Sequence, residues 1–173
     1  MDIYKFKKSE THILGGIGLN LKNYQFSEVS IKPVKFLFIG RLLKEKGIFE
    51  LIEAMRIVKS KYENVHFTIL GAIDHENLGA LKQETLDSLL REKLFEYPGY
   101  VSNVEDWITQ TSVFILPSFR EGVPRSTQEA MAIGRPVITT DVPGCRDTVV
   151  DGVNGFLVPK WDVKILVEKM CFF

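Results

Sequence analysis

Short apolar runs alternate with amphipathic stretches along the chain from Pro33 onward. The apolar runs predict strands over residues 35–39, 66–70, 99–101, 113–116, 137–140 and 155–158. Helical spacing of apolar positions predicts helices between them, over residues 48–62, 81–94, 104–111 and 124–133. Strands joined by helical or loop crossovers are typical of an α/β fold, a doubly wound parallel sheet.

Two of these helices carry a clear apolar stripe, which predicts the face that each one buries. In the first helix the stripe is formed by Ile48, Leu51, Ile52, Met55 and Val58. In the second helix the predicted inner side is formed by Leu86, Leu89, Leu90 and Leu94. Both helices are therefore expected to pack on the sheet.

The two ends of the chain differ from this alternating middle. Residues 1–32 contain a glycine cluster (Gly15, Gly16 and Gly18) and little periodicity, which predicts a leading segment or interdomain linker with at most one extra strand. Residues 33–173 form the predicted domain. Asp162 is the predicted N-cap of a last helix, whose apolar stripe still continues where the sequence stops. We therefore expect a domain truncated at its C-terminal helix.

Composition limits the classes of function. With 22 basic and 22 acidic residues, no global field favours nucleic acid, so any affinity for phosphate must come from a local site. Cys145 and Cys171 do not have the spacing of a disulfide framework or a zinc site, and the histidines are scattered. The sequence has no apolar run of the roughly 20 residues that a membrane span needs, and its start has no signal-peptide pattern. We expect a cytoplasmic protein without a bound metal.

The loop after the first predicted strand, residues 40–47, is a candidate phosphate site. Ligands of open parallel sheets bind beyond the carboxyl ends of the strands. Gly40 and Gly47 delimit this loop, and the charges of Arg41 and Lys46 suit a diphosphate. The alternative interpretation is that Arg41 and Lys46 are solvated loop charges, and the loop by itself leaves both open.

The stretch after the fourth predicted strand has several converging features. Gly122 lets the backbone approach a ligand closely, and Pro124 suits the first position of a helix, whose free amides favour a phosphate. Glu121 and Glu129 flank that position. Because carboxylates repel phosphate, we expect them to accept hydrogen bonds from hydroxyls, one from a ribose diol and one from a sugar ring. A nucleotide sugar fits this order, whereas surface carboxylates remain the alternative.

Several ordered motifs together resemble a known family. Glu121 and Glu129 have the spacing E-x7-E and are followed by Ala-Met-Ala-Ile-Gly-Arg-Pro-Val. Further agreements lie at residues 16–20, 40–42, 46–47, 141–147 and 151–158. The sequence is thereby similar to the C-terminal, donor-binding domain of the retaining GT-B glycosyltransferases of family 4, the "glycosyl transferases group 1" type. The match covers most of residues 33–160.

The resemblance implies a Rossmann-like domain that binds a UDP- or GDP-linked sugar. Arg41 and Lys46 would hold the diphosphate, Glu129 would accept the ribose hydroxyls, and Glu121 would contact the transferred sugar. The implied donor-binding residues are Gly40, Arg41, Lys46, Glu121, Gly122, Val123, Pro124, Arg125 and Glu129. The backbone amides from Gly122 to Arg125 would bind the sugar and the distal phosphate, although Pro124 removes one donor. The Pro-Arg-Ser variant of this loop is similar to members that build bacterial surface polysaccharides.

The resemblance also implies an activity, with Arg41, Lys46 and Glu121 as catalytic residues. It is the metal-independent, retaining transfer of a hexosyl group to a glycan or lipid-linked acceptor, without a cofactor. The acceptor-binding N-terminal domain would be a separate part of the enzyme, so this chain alone should bind the donor but barely catalyse. The full-length protein would work at the inner face of the membrane, by peripheral contact.

Other classes of function are weighed against this one. A dinucleotide-dependent dehydrogenase would need G-x-G-x-x-G after the first strand and an acid after the second, where this chain has Gly40-Arg41-Leu42 and Gly71-Ala72. A sugar epimerase of the same fold is disfavoured by the intact E-x7-E spacing. A non-catalytic nucleotide-binding or assembly module stays open.

Overall fold

The computed structural model describes residues 18–173, so Gly15 and Gly16 of the glycine cluster lie outside the described residues. The strands are β1 (Val34–Ile39), β2 (Val65–Leu70), β3 (Glu96–Gly99), β4 (Val113–Leu116), β5 (Val137–Thr140) and β6 (Gly155–Val158). The helices are α1 (Ile48–Lys61), α2 (Gln83–Arg91), α3 (Val104–Thr109), α4 (Arg125–Ala132) and α5 (Val163–Met170). A 3₁₀ turn (Lys44–Lys46) precedes α1. Within residues 18–173, no helix is both long and apolar enough to span a bilayer.

All six strands form one parallel sheet in the order β3-β2-β1-β4-β5-β6. This confirms the predicted Rossmann-like, doubly wound α/β fold. The chain moves outward from β1 to β3 and then returns to the other side of β1 to begin β4. The direction of winding therefore reverses between β1 and β4, and the crevice at their carboxyl ends is where such sheets bind ligands.

The core lies on both faces of this sheet. Every residue of β4 and β5 is buried, as expected for the central strands of a parallel sheet. The predicted stripe of α1, from Ile48 to Val58, is buried as well. Right-handed crossovers that run in opposite directions place their helices on opposite faces. Accordingly, α1 packs with α5, whereas α3 packs with α4.

The predicted third strand and second helix need correction. β3 spans Glu96–Gly99 instead of residues 99–101, and its residues alternate between exposed and half-buried positions. It is an edge strand, where the missing N–H of Pro98 is tolerated. The helix α2 is shorter than predicted, and Leu90 is exposed. The capping prediction for α5 is confirmed, since Asp162 Oδ1 accepts a hydrogen bond from the amide of Ile165 at 2.9 Å.

Residues 18–33 contain no helix or strand, but they are fastened to the body of the domain. The amide of Ser27 donates to the carbonyl of Ile133 at 3.1 Å. The Arg135 side chain, 1% exposed, donates to the carbonyls of Ser27 (2.8 Å), Ile108 (3.1 Å) and Thr109 (2.9 Å). Carbonyls at the end of α3 suit a cation because the helix dipole is negative there. Arg135 thus joins the segment before β1 to α3.

Candidate functional site

Two loops meet above the carboxyl ends of β1 and β4. The carbonyl of Glu45 accepts hydrogen bonds from Ser118 Oγ at 2.9 Å and from the amide of Phe119 at 2.8 Å. Gly47 has a φ of 71°, and a Cβ at that position would lie 2.1 Å from the carbonyl oxygen of Pro117. Only glycine allows this close approach. The loops after β1 and β4 are therefore locked together at the switch point.

This contact places Lys46 beside Glu121. The Nζ of Lys46 donates to Oε1 of Glu121 at 2.6 Å, and their side chains are 21% and 11% exposed. A hydrogen bond between two charged groups at this distance is strong. Sequence reasoning assigned the two residues to separate loops, and the structure brings them into direct contact. The crevice thus offers a cation and a hydroxyl acceptor side by side.

Glu129 lies in the second turn of α4 and is buried, with 8% exposure. Its Oε1 accepts hydrogen bonds from the hydroxyl of Tyr24 at 2.8 Å and from Nε of Arg125 at 2.9 Å. Its Oε2 accepts no hydrogen bond from the residues that the structure describes. Glu129 is therefore a held carboxylate with one oxygen left over, not an exposed charge on the helix surface.

The start of α4 differs by one position from the prediction. Pro124 is the N-cap, with extended backbone angles (φ −65°, ψ 125°), and the helix begins at Arg125. The missing N–H of proline therefore falls before the helix, and the first-turn amides begin with that of Arg125. A Cβ on Gly122 would meet nothing within 4 Å, so this side of the loop is open. Val123, between them, is half-buried.

The loop after β5 packs against the loop that carries Glu121 and Gly122. Gly144 has a φ of 84°, and a Cβ there would lie 1.4 Å from the carbonyl oxygen of Gly122. Cys145 follows and is fully buried. Burial raises the pKa of the Cys145 thiol, and the nearby Glu121 carboxylate raises it further, against lowering by Thr139 and Lys46. Cys145 is therefore a protonated, packed thiol under the Lys46–Glu121 pair.

Arg41 lies in the same loop as Lys46 but has a different partner. Its NH1 donates to Oδ2 of Asp74, in the loop after β2, at 2.7 Å, and its side chain is 58% exposed. The structure brings Arg41 into no ion pair with Glu121 or Glu129. Of the two predicted diphosphate-binding cations, Lys46 alone contacts a predicted site carboxylate within the described part of the chain.

Sequence reasoning missed Tyr24 and Asp74 as neighbours of the site. Tyr24 is 105 residues away from Glu129 in the sequence, and no local pattern marks it. Asp74 follows β2, and its position at the carboxyl edge of the sheet was the available signal. Cys145 lay inside a family motif after β5, but the motif did not show that its thiol is buried.

The strand order places this chain in the class of doubly wound α/β proteins. Proteins of this class bind their ligands at the switch point of the sheet. Residues 33–173 match the family described as "Glycosyl transferases group 1". The chain belongs to that family.

Known relatives agree with this assignment. The chain is 37% identical over 133 residues to the capsular polysaccharide biosynthesis glycosyltransferase CapM of Staphylococcus aureus, a match that covers 77% of this chain and 34% of CapM. The chain thus spans about a third of that relative's length.

Two solved structures share the fold. The C-terminal domain of the group 1 family glycosyl transferase LpcC from Francisella tularensis superposes with a TM-score of 0.77 at 23% identity, covering 90% of this chain and 87% of that one. A variant of S. aureus TarM in complex with fondaparinux, alpha-GlcNAc-glycerol and UDP gives a TM-score of 0.79 at 23% identity, covering 95% and 32%. At this identity the similarity shows the fold alone.

Proposed function

We propose that this chain is the donor domain of a family 4 GT-B glycosyltransferase, and that it binds a nucleotide-diphosphate sugar in the crevice between β1 and β4. The observation that carries the proposal is the juxtaposition at the switch point of the Lys46–Glu121 ion pair and the held carboxylate of Glu129. Lys46 and Glu121 lie on the two loops where the fold binds ligands, and Glu129 lies in the second turn of α4, the helix that follows the second loop. In the TarM complex, a protein of the same fold is combined with UDP.

Each group has a proposed role that follows from its chemistry. Lys46 and the first-turn amides of α4 hold the diphosphate, because cations and helix N-termini favour anions. Arg41 assists from the more exposed side of the same loop. Glu129 accepts hydroxyls of the ribose diol, and Glu121 accepts hydroxyls of the transferred sugar. The backbone from Gly122 to Arg125 then lines the path between the two carboxylates.

Transfer of the hexosyl group breaks the bond between the anomeric carbon and the diphosphate oxygen. Negative charge builds on the leaving diphosphate, and the sugar becomes oxocarbenium-like. Preorganised cations and amides stabilise that charge, so Lys46, Arg41 and the start of α4 supply the stabilisation without a metal ion. The acceptor hydroxyl forms the new bond to the same carbon on the face from which the diphosphate leaves, so the anomeric configuration is retained. Its proton passes to the leaving diphosphate oxygen.

The whole enzyme is proposed to act in bacterial surface polysaccharide synthesis, as the name of CapM describes for that relative. The acceptor is a glycan or lipid-linked sugar, and an N-terminal domain outside residues 33–173 binds it. Residues 1–32 lead from that domain into the donor domain. The full-length protein works in the cytoplasm at the inner face of the membrane.

Calorimetric titration of the chain with UDP-, GDP- and ADP-sugars, and with the free nucleoside diphosphates, tests the proposal. We expect one nucleotide to bind, and Glu129→Ala to weaken its binding about 10- to 100-fold, the usual loss for a hydrogen bond to a charged group. Glu53→Ala, which removes an exposed glutamate of α1, serves as the matched control and should bind like the wild type. If the folded wild-type chain bound none of these nucleotides, the non-catalytic module would be the better account.

A further inference from the structure

We propose that Tyr24 is a positioning residue of the nucleotide subsite: its hydroxyl holds Glu129 so that the free carboxylate oxygen faces the ribose diol. The inference rests on the proposed function. It extends that function by giving the segment before β1 a part in nucleotide recognition.

The hydrogen bonds around Glu129 are unevenly shared between its two oxygens. Tyr24 and Arg125 both donate to Oε1, at 2.8 and 2.9 Å. A carboxylate has about four acceptor sites, two on each oxygen, so these donors fill Oε1 and leave Oε2. A ribose diol presents two adjacent hydroxyl donors, which match the two remaining sites. The hydrogen bonds to Oε1 thus fix the carboxylate and leave Oε2 to accept from the ligand.

Tyr24 suits this task better than Arg125. The Arg125 side chain is mostly exposed, so its bond to Glu129 competes with water. Tyr24 has a rigid ring and two rotatable side-chain bonds, and it is half-buried. Burial, and then the adjacent Glu129 carboxylate, raises the pKa of the Tyr24 phenol. Its hydroxyl therefore remains protonated and donates over the working pH range.

The backbone that carries Tyr24 is itself anchored. Ser27, three residues later, is bonded through its amide to Ile133 and through its carbonyl to the buried Arg135. A Cβ on Gly134 would lie 2.6 Å from the ring of Phe26, so the ring and the turn after α4 are in close contact. The segment that carries Tyr24 is therefore held against α4 before any ligand binds. This segment has little conformational entropy left to lose when the nucleotide binds.

The test compares Tyr24→Phe with the wild-type chain in calorimetric titrations. The ligands are UDP, GDP and ADP and their 2′-deoxy counterparts, which lack one hydroxyl of the diol. Tyr24→Phe removes the hydroxyl and keeps the ring, so we expect about a 3- to 10-fold loss of affinity for the ribonucleotide, the usual effect of one hydrogen bond. Affinity for the 2′-deoxynucleotide should change less than about twofold. The preference for ribose over deoxyribose therefore shrinks.

Tyr97→Phe is the matched control. The Tyr97 hydroxyl also donates at 2.8 Å, but to the carbonyl of Gly71, so its loss should leave the ribose preference unchanged. Thermal unfolding of both variants checks that each is folded, and we expect similar small decreases in melting temperature. A purely structural role of Tyr24 would lower the melting temperature without changing the ratio of ribonucleotide to deoxynucleotide affinity.

The outcomes separate the inference from the function on which it rests. If the wild type binds a nucleotide and Tyr24→Phe retains the full ribose preference, the role of Tyr24 is wrong and the donor site stands. If the folded wild type binds no nucleoside diphosphate, the proposed function fails, and the inference fails with it. A reduced ribose preference in Tyr24→Phe but not in Tyr97→Phe supports both.

Discussion

Replacing Lys46 with methionine separates the two contributions of this side chain, to folding and to nucleotide binding. Methionine keeps an unbranched apolar stem of similar length and removes the ammonium group. In the structure that ammonium lies 2.6 Å from a Glu121 carboxylate that is 11% exposed. Removal of Lys46 therefore leaves Glu121 as a largely buried charge with no ion-pair partner among residues 18–173.

The expected magnitudes follow from this burial. Breaking a fully buried ion pair costs about 3–5 kcal/mol of stability and an exposed pair less than about 1 kcal/mol, so we expect about 1–3 kcal/mol for this pair. Loss of a charged contact to the diphosphate weakens binding by about 1.5–3 kcal/mol, or roughly 10- to 150-fold in Kd. Arg41→Met removes an exposed side chain paired with Asp74, so it should raise the Kd for the nucleotide less than about fivefold.

The double variant Lys46→Met with Glu121→Gln distinguishes the two effects. It removes the unpaired charge, so the free energy of unfolding, measured by urea titration, should return toward the wild-type value. Nucleotide affinity, measured by calorimetry with UDP, GDP and ADP, should not return. Wild-type affinity in the folded Lys46→Met chain would refute the assignment of Lys46 to the diphosphate.

Other predictions concern the groups that support the site. Arg135→Met leaves the carbonyls of Ser27 and α3 without their donors and should lower the free energy of unfolding by about 3–5 kcal/mol in urea titrations. Arg56→Met, at an exposed pair, is the control and should cost under about 1 kcal/mol; equal costs would contradict the role of Arg135. Burial raises the pKa of the Cys145 thiol, so at alkaline pH the native state keeps a proton that the unfolded chain loses. The contribution of this thiol to the free energy of unfolding is therefore complete below about pH 8.5 and is lost as the pH rises further. The decline in unfolding free energy between about pH 8 and 10 should be shallower in Cys145→Ala than in Cys171→Ala, and identical slopes would exclude this effect.

The buried strands β4 and β5 could be predicted because their sequences favour a buried strand over any other local structure. β4 and β5 are continuous apolar or β-branched runs ended by Pro117 and Asp141, and their observed bounds equal the predicted ones. β3 was misplaced because an edge strand with alternating exposure and a proline has no continuous apolar run. Local pattern thus predicts buried strands well and edge strands poorly.

The candidate site was predictable as a set of residue types on two loops, but not as a set of contacts. Sheet topology explains why the loops of Lys46 and Glu121 meet, whereas their 2.6 Å hydrogen bond depends on the Gly47 and Glu45 contacts between those loops. Tyr24 reaches Glu129 through tertiary packing of a segment with no periodicity, so no sequence pattern predicts it. The roles of these residues toward a ligand remain predictions.

The most direct test of the central claim is the location of the bound nucleotide. Amide chemical shifts of the isotope-labelled chain, recorded by NMR during titration with UDP, GDP or ADP, report that location. We predict that one nucleotide shifts the amides of Lys46, Gly122, Val123 and Arg125 at the carboxyl ends of β1 and β4. Shifts confined to the groove near Tyr62 and Phe173, which is lined by the first residues of β1 and β2, would contradict the account.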